Sequence, residues 1–289
     1  MPELPEVETV RRGLNKLIIG KQIKTASSDT ARSFPNSKTD VSHFLIGAKI
    51  KDVRRRAKVL MIDLSTDYTL VIHLRMTGQL VFVDNSSRFG AGHPSDSLIG
   101  NLPDKSTRVT FIFSDKSTLY FNDQRKFGWI KLIPTTEVPN MDFMKNVGPE
   151  PLEDNFTVEQ FKKRFNRRQR SKIKAALLDQ TVIAGVGNIY ADESLWGAKI
   201  HPATLVGDLP YSKFKLLYSE IREVMKLSIK KGGSTNRNYV NAEGKKGSYM
   251  DFASVFRREG LPCPRCGTLI IKIKVAGRGT HICPKEQTL

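Results

Sequence analysis

Cysteine is scarce in this sequence: three among 289 residues, at positions 263, 266 and 283. Three thiols gathered at one end cannot build a disulfide framework, and their spacing reads instead as metal ligation. Long apolar runs are missing too, since none approaches the ~18 residues of a membrane-spanning helix. The chain also opens without the basic-then-apolar pattern of a secretory signal. A cytoplasmic protein with no membrane partner is expected, nucleoid-associated if bacterial. Acidic residues are in short supply, with 29 Asp and Glu against 47 Lys and Arg and a formal net charge of +18. That imbalance favours a polyanionic partner, nucleic acid before membrane. Internal repeats are absent as well, which argues against a solenoid.

An apolar content of 39% is enough to fill real cores, so the chain is expected to be globular. Its cations cluster in RRRAK at 54–58 and in FKKRFNRRQRSKIK at 161–174. Between 48 and 132, short apolar segments (KVLMIDL, TLVIHLRM, GQLVFV, RVTFIF, STLYF, GWIKLI) alternate with polar turns and predict an antiparallel β-sandwich. The stretch 85–106, rich in Gly, Ser, Pro and Asn, interrupts them as a long loop carrying His93. Pro149 and Pro151 mark a change of character. Helical patterns follow in VEQFKKRF, SKIKAALLDQ, NIYADESLW and Tyr211–Lys230, and the cysteine-bearing tail comes last.

The opening MPELPEVETVRRGL admits two readings. In one, Pro5 and the glutamates start a helix whose apolar stripe is Val7, Val10, Leu14, Leu17 and Ile18. In the other, trimming of Met1 leaves Pro2 as a secondary amine with a pKa near ~8, able to attack an aldehyde carbon and form an iminium. The nearby carboxylates of Glu3, Glu6 and Glu8 would then move protons. Composition does not choose between them.

CPRC followed, after sixteen intervening residues, by Cys283 has the look of a zinc ribbon that lacks one thiolate, because Glu286 stands where a fourth cysteine would fall. A single structural zinc held by Cys263, Cys266 and Cys283, with Glu286, His281 or water completing the shell, is one reading; a metal-free hairpin is the other. In GVGN, glycines allow a sharp turn, and the Asn188 amide with the backbone N–H groups of a following helix would suit a phosphate. Arg170 and Lys174 from the basic run are expected beside it.

MPELPEVET, HLRMTG, NDQRKFG, GVGNIYADE, GGST-N-R-NYVNAEG and CPRC…GRGTHIC, in that order, resemble the formamidopyrimidine-DNA glycosylase family along nearly the whole chain. Leu4, where the related endonuclease VIII type usually has Gly, favours the oxidised-purine branch. The resemblance implies an α+β fold: an N-terminal antiparallel β-sandwich with flanking helices (1–135), a linker (136–155), a helix-two-turn-helix domain (156–255) and a zinc-finger-like β-hairpin (256–289), with damaged duplex DNA bound between them by a monomer. It implies base excision followed by cleavage of the abasic strand through β,δ-elimination. Pro2 would be the nucleophile, Glu3 the proton donor to the sugar, Glu6 the support of the amine, Lys58 the residue of β-elimination and Arg278 that of δ-elimination. Met76, Arg125 and Phe127 would fill the gap left by an extruded nucleotide, although one Met and one Phe in strands read equally well as core. Residues 232–251 would close over the flipped base. Arg108 stands where many relatives carry a histidine and is expected on a phosphate; a DNA contact or a plain turn is open for His93. A non-catalytic DNA-binding protein and an enzyme for oxidised pyrimidines are the competing readings.

Overall fold

The computed structural model describes residues 1–93, 95–234 and 249–289; most of the stretch expected to close over a base lies outside them. The chain forms two compact units, Met1–Lys145 with the segment beginning at Lys231, and Asn146–Lys230 with Tyr249–Leu289. The first holds α1 (Leu4–Ile18), β1 (Ile23–Ser28), the short α2 (Lys38–Asp40), β2 (Ile50–Arg56), β3 (Val59–Leu64), β4 (Tyr68–His73), β5 (Gly78–Val83), β6 (Arg88–Gly92), β7 (Thr107–Phe113), β8 (Thr118–Asp123) and β9 (Trp129–Pro134). A short α3 (Asp142–Asn146) leads into the second unit, which holds α4 (Val158–Arg164), α5 (Ile173–Leu178), α6 (Asn188–Gly197), α7 (Tyr211–Lys230), α8 (Tyr249–Phe252), β10 (Ile271–Val275) and β11 (Arg278–Ile282).

The helix-start reading of the N-terminus holds. Glu3 is the N-cap of α1, Pro5 lies in the first turn, and Glu6 Oε2 accepts the Glu3 N–H at 2.8 Å, so carboxylates and an imino acid occupy the end where free N–H groups and the positive end of the dipole favour them. Val7, Val10, Leu14 and Ile18 are fully buried, each worth roughly 1.5–3 kcal/mol when removed from water. The helix lies so close to β6 that a Cβ on Gly13 would come within 2.0 Å of the Phe89 ring, so glycine is required there.

Two antiparallel sheets, ordered β1-β7-β8-β5-β6 and β2-β3-β4-β9, share one apolar core with α1. Each of the six segments picked out by alternation supplies most of a strand. Three other strands of this unit, β1, β2 and β6, escaped notice. β6 lies within the supposed loop 85–106 and pairs with β5 through Val81 and Gly90; its two glycines hid the alternation. The basic run 54–58 contributes most of its residues to β2, where Arg54 pairs with Asp63 (Nη2 to Oδ1, 2.9 Å) and Arg55 with Glu8 at 3.2 Å. The rest of the insert is tied down by Asp104, which accepts the Ser97 hydroxyl at 2.6 Å and the Ser106 N–H and hydroxyl at 2.7 Å each.

In the second unit α4 begins at a Thr157–Gln160 capping box. α7 buries Phe214, Leu217, Ile221, Met225 and Ser228 along one face, packed against α4 and α6. Phe161, Phe165 and Phe214 meet edge to face, with centroids 4.9 and 5.4 Å apart for the consecutive pairs. The β10–β11 hairpin turns on Ala276 and Gly277, both at positive φ (49° and 76°), the backbone that matches the twist of two paired strands.

Candidate catalytic residues and nucleic-acid interface

Pro2 is buried immediately ahead of α1, and Glu3 and Glu6 are buried beside it in the chain. Glu6 is held from two sides: Oε2 accepts from Glu3 and Oε1 accepts the Ser234 N–H at 2.8 Å, next to Gly233 at a φ of +93°. Two residues further on, burial pushes the Glu8 carboxyl up, but hydrogen bonds from Arg11 and Arg12 and the nearby Arg55 outweigh it and hold it at about 2. Lys58 is also buried, in the two-residue turn joining β2 to β3. Its neighbour Val59 faces His73 on β4. Burial, then the charges of Arg75 and Lys58, hold His73 down to about 3, and its Nδ1 accepts the Arg75 N–H at 3.0 Å. A neutral imidazole thus lies near the expected elimination lysine. His73 was not singled out from the sequence, although a histidine within the apolar run VIHL was the signal.

The loops after β4 and β8 carry the three side chains expected as a wedge. Met76 is 38% and Phe127 40% exposed, and Arg125 is exposed with its Cζ 4.8 Å from the Phe127 ring centroid. None is core. Arg32, a second cation over Phe127 at 5.4 Å, had no sequence signal. Fully buried Asp123 organises both loops: Oδ1 accepts the Thr77 hydroxyl and the Arg125 N–H, and Oδ2 accepts the N–H groups of Phe127 (2.8 Å) and Gly128 (2.6 Å). His93 is half-buried at the end of β6, where its N–H donates to Gly78 O at 3.0 Å.

Arg108 requires a correction. It is buried, and each guanidinium nitrogen is engaged by the protein: Nε by Asp123 O at 2.8 Å, Nη2 by Lys105 O at 2.6 Å and Nη1 by the Asp29 carboxylate. Its geometry ties β7 to the loop after β8 and leaves no fork turned outward to a phosphate.

Lys174 requires the same correction. It is fully buried, with Nζ donating to Asp192 Oδ1 at 2.6 Å, Thr280 Oγ1 at 2.7 Å and Gly279 O at 3.2 Å. The side chain pins α5 and α6 to β11, because a buried ammonium is tolerated only with such compensation. Arg170 is exposed, as a phosphate contact needs. Asn188 opens α6, and its Nδ2 donates to Gly279 O at 3.0 Å while Oδ1 is buried without a hydrogen-bond partner among the described residues. Gly279 therefore receives from both Asn188 and Lys174, one residue beyond exposed Arg278. The two acids of GVGNIYADE were also missed from sequence: Asp192 serves Lys174, and buried Glu193 accepts the N–H groups of Ser254, Val255 and Phe256 at 2.7–2.9 Å. Burial pushes the Glu193 carboxyl up against those hydrogen bonds.

Sγ atoms of Cys263, Cys266 and Cys283 lie within 4.8 Å of one another, with Cys266 and Cys283 at 3.4 Å. Thiolates sharing a tetrahedral zinc at ~2.3 Å would be ~3.8 Å apart, so the three could hold a zinc ion. His281 and Glu286, both offered as fourth ligands, belong to other partners. His281 Nδ1 faces Asp192 at 3.4 Å, and Glu286 Oε2 meets Lys199 Nζ at 2.9 Å and Arg265 Nη1 at 3.2 Å.

A β-sandwich capped by an acid-bearing helix, together with a helical unit ending in a cysteine hairpin, defines the class of helix-two-turn-helix proteins with a zinc-finger-like tail. Models for the formamidopyrimidine-DNA glycosylase N-terminal domain, the formamidopyrimidine-DNA glycosylase H2TH domain, and a zinc finger found in FPG and IleRS match residues 1–130, 147–240 and 260–285. A formamidopyrimidine-DNA glycosylase of Pediococcus pentosaceus is 43% identical over 289 residues, covering both chains completely. That of Ligilactobacillus salivarius is 42% identical over 100% of this chain and 99% of its own. The structure of a Lactococcus lactis FPG mutant bound to Fapy-dG-containing DNA superposes with a TM-score of 0.87 at 38% identity over 100% of each chain. The chain belongs to the formamidopyrimidine-DNA glycosylase family.

Proposed function

We propose that this chain removes oxidised purines, 8-oxoguanine and formamidopyrimidines, from duplex DNA and then cleaves the abasic strand, with Pro2 as nucleophile once Met1 is trimmed. The observation that carries the reading is the position of Pro2, directly ahead of α1 with Glu3 and Glu6 buried at that helix's first turn. A free α-amine with a pKa near ~8 is unprotonated part of the time at neutral pH, which a lysine at ~10.4 is not. Its lone pair forms a bond to C1′ as the glycosidic bond breaks, and the base departs with the bonding electrons and takes up the proton that the Pro2 nitrogen releases. Glu3 gives a proton to the sugar ring oxygen, so the ring opens to an iminium. Glu6, anchored by the Glu3 and Ser234 amides, fixes the backbone from which the amine projects. The positive nitrogen acidifies the neighbouring sugar carbon; its proton leaves with help from Lys58, and the 3′ phosphate is expelled. A second elimination releases the 5′ phosphate, with Arg278 on the phosphates.

Extruding a nucleotide costs a few kcal/mol of stacking, and an apolar wedge beside a cation offsets part of it. Met76, Phe127 and Arg125 supply that set on loops shaped by Asp123. Arg170 and Asn188 bind the backbone, and His93, at the foot of the Met76 loop, is a further DNA contact. The chain works as a monomer in the cytoplasm. Among the described residues no helix is long and apolar enough to cross a membrane.

Borohydride trapping tests the reading. Incubation with duplex DNA carrying 8-oxoguanine should give a covalent adduct that maps to the N-terminal peptide, and an extra residue ahead of Pro2 should abolish it by converting the amine to an amide. Normal excision by an N-terminally blocked protein would remove Pro2 from the chemistry.

A further inference from the structure

We propose that the finger of this chain holds its zinc through three thiolates only, with the fourth position occupied by water that an external thiolate can displace. The inference does not depend on the glycosylase reading. Its basis is the fate of the residue at the fourth cysteine position. Glu286 Oε2 sits between Lys199 Nζ at 2.9 Å and Arg265 Nη1 at 3.2 Å. Arg265 is itself fixed: its Cζ lies 3.9 Å from the Trp196 ring centroid, and Nη1 donates to Trp196 O at 3.2 Å. To reach the metal the carboxylate would have to leave two cations, one of them stacked on an indole. His281 is turned away as well, with Nδ1 facing Asp192 and its ring packed 5.2 Å from Phe256. Among the described residues, Cys263, Cys266 and Cys283 are the complete cluster of potential ligands.

A second feature shows that the tail is closed without a fourth metal bond. Buried Gln287 accepts the Cys283 N–H through Oε1 at 3.0 Å, donates its own N–H back to Cys283 O at 3.0 Å, and donates from Nε2 to Ile200 O at 2.9 Å. With the Glu286 ion pairs, these contacts fasten the last turn to the end of α6 and the residues after it. Four thiolates close a zinc site, whereas three leave an open position of the kind found in catalytic zinc centres. The exchange is a ligand substitution: water leaves, the thiol binds as thiolate and releases its proton, and no electrons are transferred.

Cobalt(II) tests this in the full-length protein, stripped of metal and kept reduced with a phosphine. One cobalt per chain should bind, with thiolate-to-cobalt charge-transfer absorption. Glu286→Gln should leave the spectrum unchanged. Added 2-mercaptoethanol should shift the ligand-field bands and strengthen the charge-transfer absorption in proportion to a rise from three thiolates to four. Glu286→Cys should show the four-thiolate spectrum from the start and should not respond to added thiol. A spectrum altered by Glu286→Gln would make the carboxylate a ligand and overturn the proposal, as would a natural chain indifferent to thiol or unable to take up cobalt. If Glu286→Cys misfolds, the Gln variant and the thiol titration decide the matter alone.

Discussion

Lys58 in the sandwich unit and Lys174 in the helical unit are both buried, and burial alone would assign them the same role. Their surroundings separate them. Lys174 faces a fully buried carboxylate, a hydroxyl and a carbonyl, a set that satisfies an ammonium in place. Lys58 sits at the hairpin turn between β2 and β3, and its charge joins burial and Arg75 in lowering His73. A buried cation matched by its own carboxylate, as Lys174 is by Asp192, is part of the scaffold, whereas the role proposed for Lys58 is in elimination.

The largest effect should come from breaking the contrast on the catalytic side. Lys58→Ala should slow strand cleavage by roughly 10²–10⁴-fold, the usual worth of a positioned acid or base, while base release falls less; single-turnover assays of the two steps check it. On the structural side, Asp192→Asn leaves the Lys174 charge buried and weakly compensated. Denaturant unfolding should show the helical unit weakened by about 3–5 kcal/mol, whereas the same change at an exposed acid such as Asp154 should cost under about 0.5 kcal/mol. An Asp192→Asn protein as stable as its parent would erase the distinction between the two lysines.

The neighbourhood of Lys58 can be sharpened by pH. His73 titrates at about 3 in the fold against 6.5 ordinarily, so the unfolded chain binds its proton first. Stability should fall as pH drops from 6.5 towards 3, with a slope of at most about 1.4 kcal/mol per pH unit from this group, and His73→Phe should flatten that segment of an acid-unfolding curve. Glu8 acts at lower pH: held at about 2 against 4.5, its stabilisation is complete above 4.5 and is lost as pH falls towards 2.

The smallest structural effect is expected at the wedge. Phe127→Ala should shift melting by less than about 1 kcal/mol, because a 40%-exposed ring has little burial to lose, yet it should impair excision from duplex DNA. A loss of 3–5 kcal/mol would return Phe127 to the core.

The strands with clean alternation and the amphipathic helices were legible in the sequence because side-chain period follows directly from backbone geometry. β6 was not, since Arg-Phe-Gly-Ala-Gly presents too few side chains to show a period. The N-terminal constellation was legible for another reason: Pro2, Glu3 and Glu6 are neighbours in the chain, so their proximity needed no fold. The exposure of Met76 and Phe127 and the order Asp123 imposes on two loops required the sheets to form first.

By itself the sequence determined the α+β division, the family, the proline behind Met1 and the missing fourth cysteine at Glu286, all of them local facts of residue type and spacing. Tertiary structure alone decided which cations face solvent. Arg108 and Lys174 look no different in the sequence from Arg125 and Arg170, yet the first two are enclosed by carboxylates and carbonyls distant in the chain. It also decided that Glu286 belongs to Lys199 and Arg265. A charged side chain's role is set by what desolvates it and what compensates it, and both come from segments that meet only when the chain folds.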